Sequence, residues 1–221
     1  MTRTSTRSAV AVAVAAAGLA AMAPAVAQAA SHPAGKVVNL IKDSGAESAK
    51  PDSDGGLVKV PGWNPPKGSQ FTAVAYGASG GFPASSSPGP KHRGKNFFAG
   101  GPSGNTSGAS QTDSLKADAT LIASGKAKFQ LSGWLGGFSS QADYAMLTVT
   151  WISAKGKALG HTTIGPVTPR QRHDVTGMLR RSKSGTVPTG AARARVSLRM
   201  VRKDGSYIDG YADNLSLTIT S

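Results

Sequence analysis

The chain has 221 residues, no cysteine, 28 glycines and 13 prolines, and a formal net charge of +14 because 25 basic residues face 11 acidic ones. The absence of cysteine excludes a disulfide scaffold and a cysteine-ligated metal site. The glycines follow no period of three, which excludes collagen, and no block of five or six like charges accounts for the net charge as a solvated tail.

The first element along the chain is a predicted secretory signal peptide at residues 1–29. Arg3 and Arg7 precede an uninterrupted apolar run over residues 9–23, and the alanines at 27 and 29 form an A-x-A cleavage signal. We predict cleavage after Ala29, with cleavage after Ala27 as the alternative, and export by the general secretory route. The expected location is therefore outside the cell, either extracellular or associated with the cell wall.

The exported chain is predicted to be a flexible N-terminus at residues 30–36 followed by a single β-sandwich domain at residues 37–221. It keeps a net charge of +12, because the signal peptide carries two arginines and no acidic residue. About 190 residues are enough to bury one real core without disulfides. No later segment approaches eighteen consecutive apolar residues, so we expect no membrane span.

Alternation of apolar and polar residues dominates the exported chain and indicates β-strands. The short strands are expected at residues 37–41, 71–76, 96–99 and 117–122, and the long ones at residues 128–135, 145–152, 192–200 and 215–220. Helical signal is weak and is confined to a turn within residues 110–121 and a short segment at 176–181. Gly, Pro and Ser predict two loops, an exposed one at 77–95 and another at 100–110. Many short strands with such punctuation indicate an all-β sandwich or barrel.

Two segments at opposite ends of the domain suggest a family. Residues 39–47 read NLIKDSGAE and are followed by Trp63, and residues 205–217 read GSYIDGYADNLSL. Together they resemble bacterial secreted jelly-roll domains of the galactose-binding-like superfamily, which include many carbohydrate-binding modules. The resemblance implies a jelly-roll β-sandwich of two antiparallel sheets over nearly the whole exported chain.

The same resemblance implies a structural Ca²⁺ where the two ends of the domain meet. Its ligands would include Glu47, after the first strand, and Asp213, at the start of the last one, with Asp43 as a possible substitute for Glu47. Carboxylates and loop carbonyls are the oxygens that Ca²⁺ prefers. The alternative is that Glu47 and Asp213 only cap turns.

Candidate catalytic groups are weakly supported. Residues 77–81 read GASGG and match a nucleophile pattern, but the Pro-rich stretch after them cannot begin the helix that such an elbow requires, so we interpret them as a loop. The four histidines lack metal-ligand spacing. Asp209 and Asp213 lie four apart on one strand, about 13 Å at the extended rise. Glycosidases place their two carboxyls about 5–9.5 Å apart. We therefore predict a protein that is not an enzyme.

Aromatic side chains beside polar groups suggest a sugar-binding surface, because aromatic walls with a few placed polar groups are typical of ligand sites. Trp134 lies on the polar side of its strand, together with Gln130 and Ser132. The predicted ligand-binding residues are Trp134, Gln141, Asp143, Tyr144, Tyr207 and Tyr211. The alternative is that Trp134 and the tyrosines pack at the edges of the sandwich.

The basic residues are concentrated in the last third of the chain. Arg193, Arg195 and Arg199 fall on one face of a strand, and Arg180 and Arg181 form a further cluster. Such a surface would attract polyanions. The alternative is a solubilising surface without a ligand. Nucleic acid is disfavoured as a partner, because no nucleic-acid motif is present and aromatic residues make up only 6% of the chain.

The sequence thus predicts a secreted, non-catalytic binding module for carbohydrate or cell-envelope glycan, with a structural calcium. The alternative function is a structural or interaction protein of the envelope that binds protein or anionic polymers through its arginine-rich face. The sequence does not determine the oligomeric state.

Overall fold

The computed structural model describes Met1 and residues 37–221. The predicted signal peptide, its cleavage site and the predicted flexible segment 30–36 lie outside the residues that the structure describes, apart from Met1. No helix within residues 37–221 has the length and apolarity needed to cross a membrane.

Nine strands carry the fold. They are β1 (Thr72–Ala75), β2 (Asn96–Gly101), β3 (Thr106–Ser114), β4 (Lys128–Gly137), β5 (Tyr144–Ser153), β6 (Ala158–Ile164), β7 (Gly177–Thr186), β8 (Ala191–Val201) and β9 (Ile208–Thr220). The helical elements in the described part are one short helix, α1 (Ala119–Ala123), and 3₁₀ turns at Lys116–Asp118 and Arg170–Arg172.

The strands form two antiparallel sheets. One sheet has five strands in the order β1-β2-β9-β4-β7, and the other has four in the order β3-β8-β5-β6. Consecutive strands such as β2 and β3, or β7 and β8, belong to opposite sheets. The chain is therefore a jelly-roll β-sandwich, as the sequence predicted.

The core lies between the two sheets and follows the predicted alternation. On β8, Ala194, Val196 and Leu198 are buried, while the alternating residues Arg193, Arg195 and Arg199 are exposed. The opposite sheet contributes Leu131 of β4 and Leu217 of β9, which are both fully buried. Because successive strand residues point to opposite faces, the outer faces of both sheets stay polar over much of their area.

Several segments differ from their predicted secondary structure. The strand β3 begins within the predicted loop at 100–110, and β6 is not among the predicted strands. Residues 37–40 have no strand assignment, although the Leu40 N–H donates to the Leu217 carbonyl and holds the segment against β9. The whole of 117–122, predicted as a strand, falls in a 3₁₀ turn and α1. Residues 177–181, predicted as helical, begin β7, because this segment pairs with β4 along its whole length and tertiary pairing outweighs a weak local preference.

Most residues of the loop at 77–95 are exposed, as predicted, and the loop also covers part of a sheet. It lies over the outer face of the five-stranded sheet, where the Phe82 ring packs against Phe97, Tyr207 and Tyr211. The Arg93 guanidinium holds the loop together by donating to backbone carbonyls, including those of Ala84, Ser87 and Pro90. A second, smaller apolar cluster therefore forms outside the sandwich and covers part of this sheet.

Candidate functional site

The outer face of the five-stranded sheet has a covered half and an open half. The covered half consists of the buried side chains Val74, Phe97, Ala99, Met178 and Tyr211, which lie beneath the loop. The open half lies along β7, β4 and β9 beyond this cluster and carries polar side chains. Trp134 stands at the boundary, half-buried and packed against the covered cluster.

Trp134 has a charged or polar neighbour on each side. In the antiparallel register it pairs with Arg180 of β7 and with Asp213 of β9. Arg180 is exposed, whereas Asp213 is fully buried. The indole is therefore half-buried, with a cation on the neighbouring strand, and does not lie deep in an apolar pocket.

The open half forms what we call the polar ladder, three rows of side chains that continue down the sheet from Trp134. Ser132, Gln130 and Lys128 of β4 are its centre, and each pairs with a hydroxyl-bearing residue on either side. Those partners are Ser182, Ser184 and Thr186 on β7 and Ser216, Thr218 and Thr220 on β9. From Trp134 to Lys128 the ladder is about 20 Å long at the extended rise per residue, which is enough for an oligosaccharide.

Asp213 is a buried carboxyl with two internal hydrogen bonds. The Tyr76 hydroxyl donates to Asp213 Oδ2 at 2.7 Å, and the Asn214 N–H donates to Oδ1 at 2.6 Å. Burial raises the pKa of Asp213 to about 7 and the Glu47 charge adds to this, while the hydrogen bonds and Arg93 oppose it. Asp213 is therefore a structural carboxyl that stays protonated below neutral pH.

The structure brings Glu47 close to Asp213, as the resemblance implied, but the donors do not fit calcium. A Cβ on Gly45 would lie 3.1 Å from Asp213 Oδ1 and 3.8 Å from Glu47 Cγ. Glu47 accepts the backbone N–H groups of Lys95 and Asn96, so all four carboxylate oxygens already accept hydrogen bonds. Calcium takes six to eight oxygens. Within residues 37–221 no group of three His, Asp or Glu side chains is placed to hold a metal.

The alternative ligand Asp43 lies in the same loop region. Its Oδ1 accepts the Ser48 N–H, and its Oδ2 is buried with no hydrogen-bond partner among the described residues. A single orphaned oxygen does not supply a calcium shell.

Two of the predicted ligand-binding residues are internal, and a third, Tyr207, is half-buried with its hydroxyl bonded inside the protein. Asp143 is fully buried and accepts backbone N–H groups of Lys203, Asp204 and Asp209. Tyr211 is also fully buried, and its hydroxyl donates to Asp209. The Tyr207 hydroxyl donates to the Gly55 carbonyl at 2.9 Å. Their polar groups hold the end of the sandwich and its covering segments together.

The remaining two predicted residues lie apart from Trp134. Tyr144 is at the start of β5, in the four-stranded sheet. Gln141 lies beside Gly205, with its Oε1 buried and without a partner among the described residues. Of the six predicted ligand-binding residues, the structure thus places only Trp134 on the open half of the five-stranded sheet.

Arg172 is a buried cation that no sequence pattern singles out. It is 2% exposed, and its guanidinium donates to the carbonyls of Ser139, Gln141 and Val175. Burial lowers the pKa of this guanidinium, while nearby carboxylates raise it. In the sequence, Arg172 lies between polar residues, and this local pattern does not distinguish a buried arginine that donates to carbonyls from an exposed one.

The predicted polyanion-binding arginines divide between the two sheets. Arg193, Arg195 and Arg199 are all exposed on β8 of the four-stranded sheet. Arg180 stands beside Trp134 on the other sheet. Arg181 points to the opposite side of β7 from Arg180 and donates to Gln171 Oε1 at 2.8 Å. The five residues do not form one cluster.

No protein-family model and no curated protein matches this chain. Several solved structures, however, are similar to this chain in fold. A Stig cyclase from Fischerella sp. TAU, crystallised with a pyrrolidinylidene-indole, has 14% identity and a TM-score of 0.51, with 84% of this chain and 98% of that one covered. A family 16 carbohydrate-binding module has 21% identity and a TM-score of 0.49, with 81% and 99% covered.

The enzymatically active domain of a tailspike protein from bacteriophage CBA120 also matches, at 14% identity and a TM-score of 0.47. The match covers 82% of this chain but only 21% of the tailspike chain. At identities this low, the likeness to the cyclase shows a shared fold and nothing about the ligand. The jelly roll is thus established, while the function rests on the residues of this chain.

Proposed function

We propose that this protein is a secreted, non-catalytic binding module for carbohydrate or cell-envelope glycan, and that the glycan lies on Trp134 and the polar ladder. The observation that carries the proposal is the position of Trp134, half-buried at one end of three rows of hydroxyl, amide and ammonium groups. An aromatic ring covers the C–H face of a sugar, and flanking polar groups bind its hydroxyls.

The dimensions of this surface favour a chain of sugars over a single ring. The ladder is built from neighbouring strands, and it runs about 20 Å from the indole. Gln130 and Lys128 are exposed, and the β7 hydroxyls lie at an edge of the sheet, whereas Ser132, next to Trp134, is buried. The exposed donors and acceptors on this face therefore reach solvent and remain available to a ligand.

The absence of catalysis is part of the proposal and is supported by the internal carboxyls. Asp143, Asp209 and Asp213 are each buried and each accept hydrogen bonds from the protein itself. A general acid or base must reach the proton it transfers in the bound substrate. These carboxyls have no such access in the described conformation.

The test is binding of the purified protein to a glycan array and to insoluble polysaccharides, followed by titration of the best ligand. We expect Trp134→Ala to weaken binding at least tenfold, or about 1.4 kcal/mol, and Trp134→Phe to retain most of it. Incubation with the ligand should release no shorter products.

Tyr144→Ala is the matched control, because it removes a half-buried aromatic side chain from the other sheet. It should leave the affinity within twofold of the wild-type value. An array with no ligand, or equal losses from Trp134→Ala and Tyr144→Ala, would contradict the proposal.

A further inference from the structure

The outer face of the four-stranded sheet carries a second surface that the proposed glycan site does not use. Arg193, Arg195 and Arg199 point outward from β8, which is an interior strand of that sheet. At the extended rise per residue, the first two are about 7 Å apart along the strand and the last two about 14 Å. We call these residues and their outward-facing cross-strand neighbours the arginine face.

Hydroxyl groups flank Arg195 on both neighbouring strands and Arg193 on one, whereas Arg199 pairs with Gly108 and Met146. Arg195 pairs with Thr112 of β3 and Thr150 of β5, and His161 follows on β6. The next row is made of hydroxyls alone, namely Ser110, Ser197, Thr148 and Thr163. Ser114 pairs with Arg193. None of the outward-facing residues in these rows is acidic.

The positive charge of this face is not balanced within the described part of the chain. None of the three guanidinium groups makes an ion pair or a hydrogen bond with residues 37–221. Like charges two residues apart on one strand repel each other, and a surface tuned for solubility alone mixes both signs. Three uncompensated guanidinium groups in one line therefore favour an anionic partner.

A groove of about 630 Å³ continues the arginine face at one end. Arg199, Lys67 and the hydroxyl residues Ser110 and Ser197 line it. The wall opposite β8 is the segment 64–69. It is pinned to β3 because the Asn64 N–H donates to the Ser110 carbonyl at 2.9 Å and the Ser69 hydroxyl donates to the Gly108 carbonyl at 2.8 Å.

We propose that the arginine face and this groove bind a linear acidic polysaccharide, with guanidinium groups on its carboxylates and Ser and Thr hydroxyls on its sugar hydroxyls. Arginine binds carboxylates through two parallel hydrogen bonds, which gives geometric specificity as well as attraction. The rows around the arginines contain no Trp, Tyr or Phe ring on which the bases of a single-stranded nucleic acid would stack. This surface is separate from Trp134 and goes beyond the glycan site proposed above.

The experiment measures binding of the full exported chain to polygalacturonate and to a carboxyl-reduced form of the same polymer. The triple variant Arg193→Gln, Arg195→Gln, Arg199→Gln should bind polygalacturonate at least tenfold more weakly. Wild-type binding should fall steeply as sodium chloride is raised, because exposed charges are screened. The reduced polymer should not bind to this face.

Two controls separate this site from net charge and from the glycan site. The variant Lys50→Gln, Lys91→Gln, Lys126→Gln loses the same charge from three exposed lysines that lie outside these rows, and it should bind like the wild type. Trp134→Ala should also bind polygalacturonate normally. Circular dichroism and thermal melting of each variant establish that it is folded.

Each other outcome overturns the proposal. Undetectable binding of polygalacturonate by the wild type, or equal losses in the arginine and lysine variants, removes the assigned site. Equal binding of a single-stranded oligonucleotide assigns the face to nucleic acid instead. Loss of polygalacturonate binding in Trp134→Ala would place acidic glycans at the first site, and that result would leave the proposed function standing.

Discussion

The buried carboxyl of Asp213 makes a quantitative prediction about stability. Its pKa is about 7 in the folded protein, against an ordinary value of 3.8. Between pH 4 and pH 7 the unfolded chain releases this proton while the folded chain keeps it, so stability falls as pH rises. One pH unit corresponds to about 1.4 kcal/mol, and the whole interval to about 4 kcal/mol. The contribution is fully present below pH 4 and is lost above pH 7.

The perturbation that isolates this effect is Asp213→Asn, which keeps a neutral side chain at every pH. Urea unfolding of both proteins is measured at pH 4.5 and at pH 8. The unfolding free energy of the variant minus that of the wild type should be larger at pH 8 than at pH 4.5, by most of that roughly 4 kcal/mol. Burial also raises the pKa of Asp209, but Asp209 is present in both proteins and cancels from the difference. Asp174→Asn, at an exposed position, is the matched control and should show no such gain.

A second variant keeps the test decisive if Asp213→Asn folds poorly. The hydrogen bond from the Tyr76 hydroxyl lowers the pKa of Asp213, so Tyr76→Phe should raise it and extend the fall in stability to higher pH. A stability difference between Asp213→Asn and the wild type that stays constant within about 1 kcal/mol over this range would refute the reasoning.

The other predictions concern calcium, Arg172 and export. All four oxygens of Glu47 and Asp213 accept internal hydrogen bonds, so the melting temperature should be the same in excess CaCl₂ and in chelator. If calcium did bind, a concentration a hundred times its dissociation constant would stabilise the folded protein by about 2.7 kcal/mol. Replacing Arg172 by Met leaves three carbonyls without their donor and should lower the unfolding free energy by about 3 kcal/mol. The control Arg181→Met should lower it by under about 1 kcal/mol. Equal losses would contradict the structural role of Arg172. N-terminal sequencing of protein from the culture medium should begin at Ala30, and a chain that retains Met1 there would contradict the signal peptide.

The periodicity of the sequence predicted the sandwich because alternation reports which residues face the core. Ala194, Val196 and Leu198 are buried on β8 and the alternating Arg193, Arg195 and Arg199 are exposed, as the pattern required. The same alternation placed Trp134 on one face with Gln130 and Ser132, and the polar ladder is built on those residues. Local pattern was enough here because β8 and the first half of β4 face one apolar and one polar environment.

The pattern could not identify which polar residues face inward at the ends of strands. Asp143 and Tyr211 looked like binding groups, yet both are fully buried, because loop backbone and Asp209 supply their hydrogen-bond partners. Those partners lie 60 to 66 residues from Asp143 in the chain. The same limit applies to Phe82, because its Gly- and Pro-rich loop is mostly exposed, as predicted, while the Phe82 ring packs on the sheet.

By itself, then, the sequence determined the fold class, the strand faces and the line of arginines on β8, since all of these follow from the two-residue repeat of an extended chain. Only the tertiary structure decided which surfaces stay open. It separated Arg180 and Arg181 from the other three arginines by sheet order, left Trp134 at the margin of a covered cluster, and joined the segment 64–69 to β3 to form a groove beside Arg199. Those arrangements depend on contacts between distant segments, which no local pattern encodes.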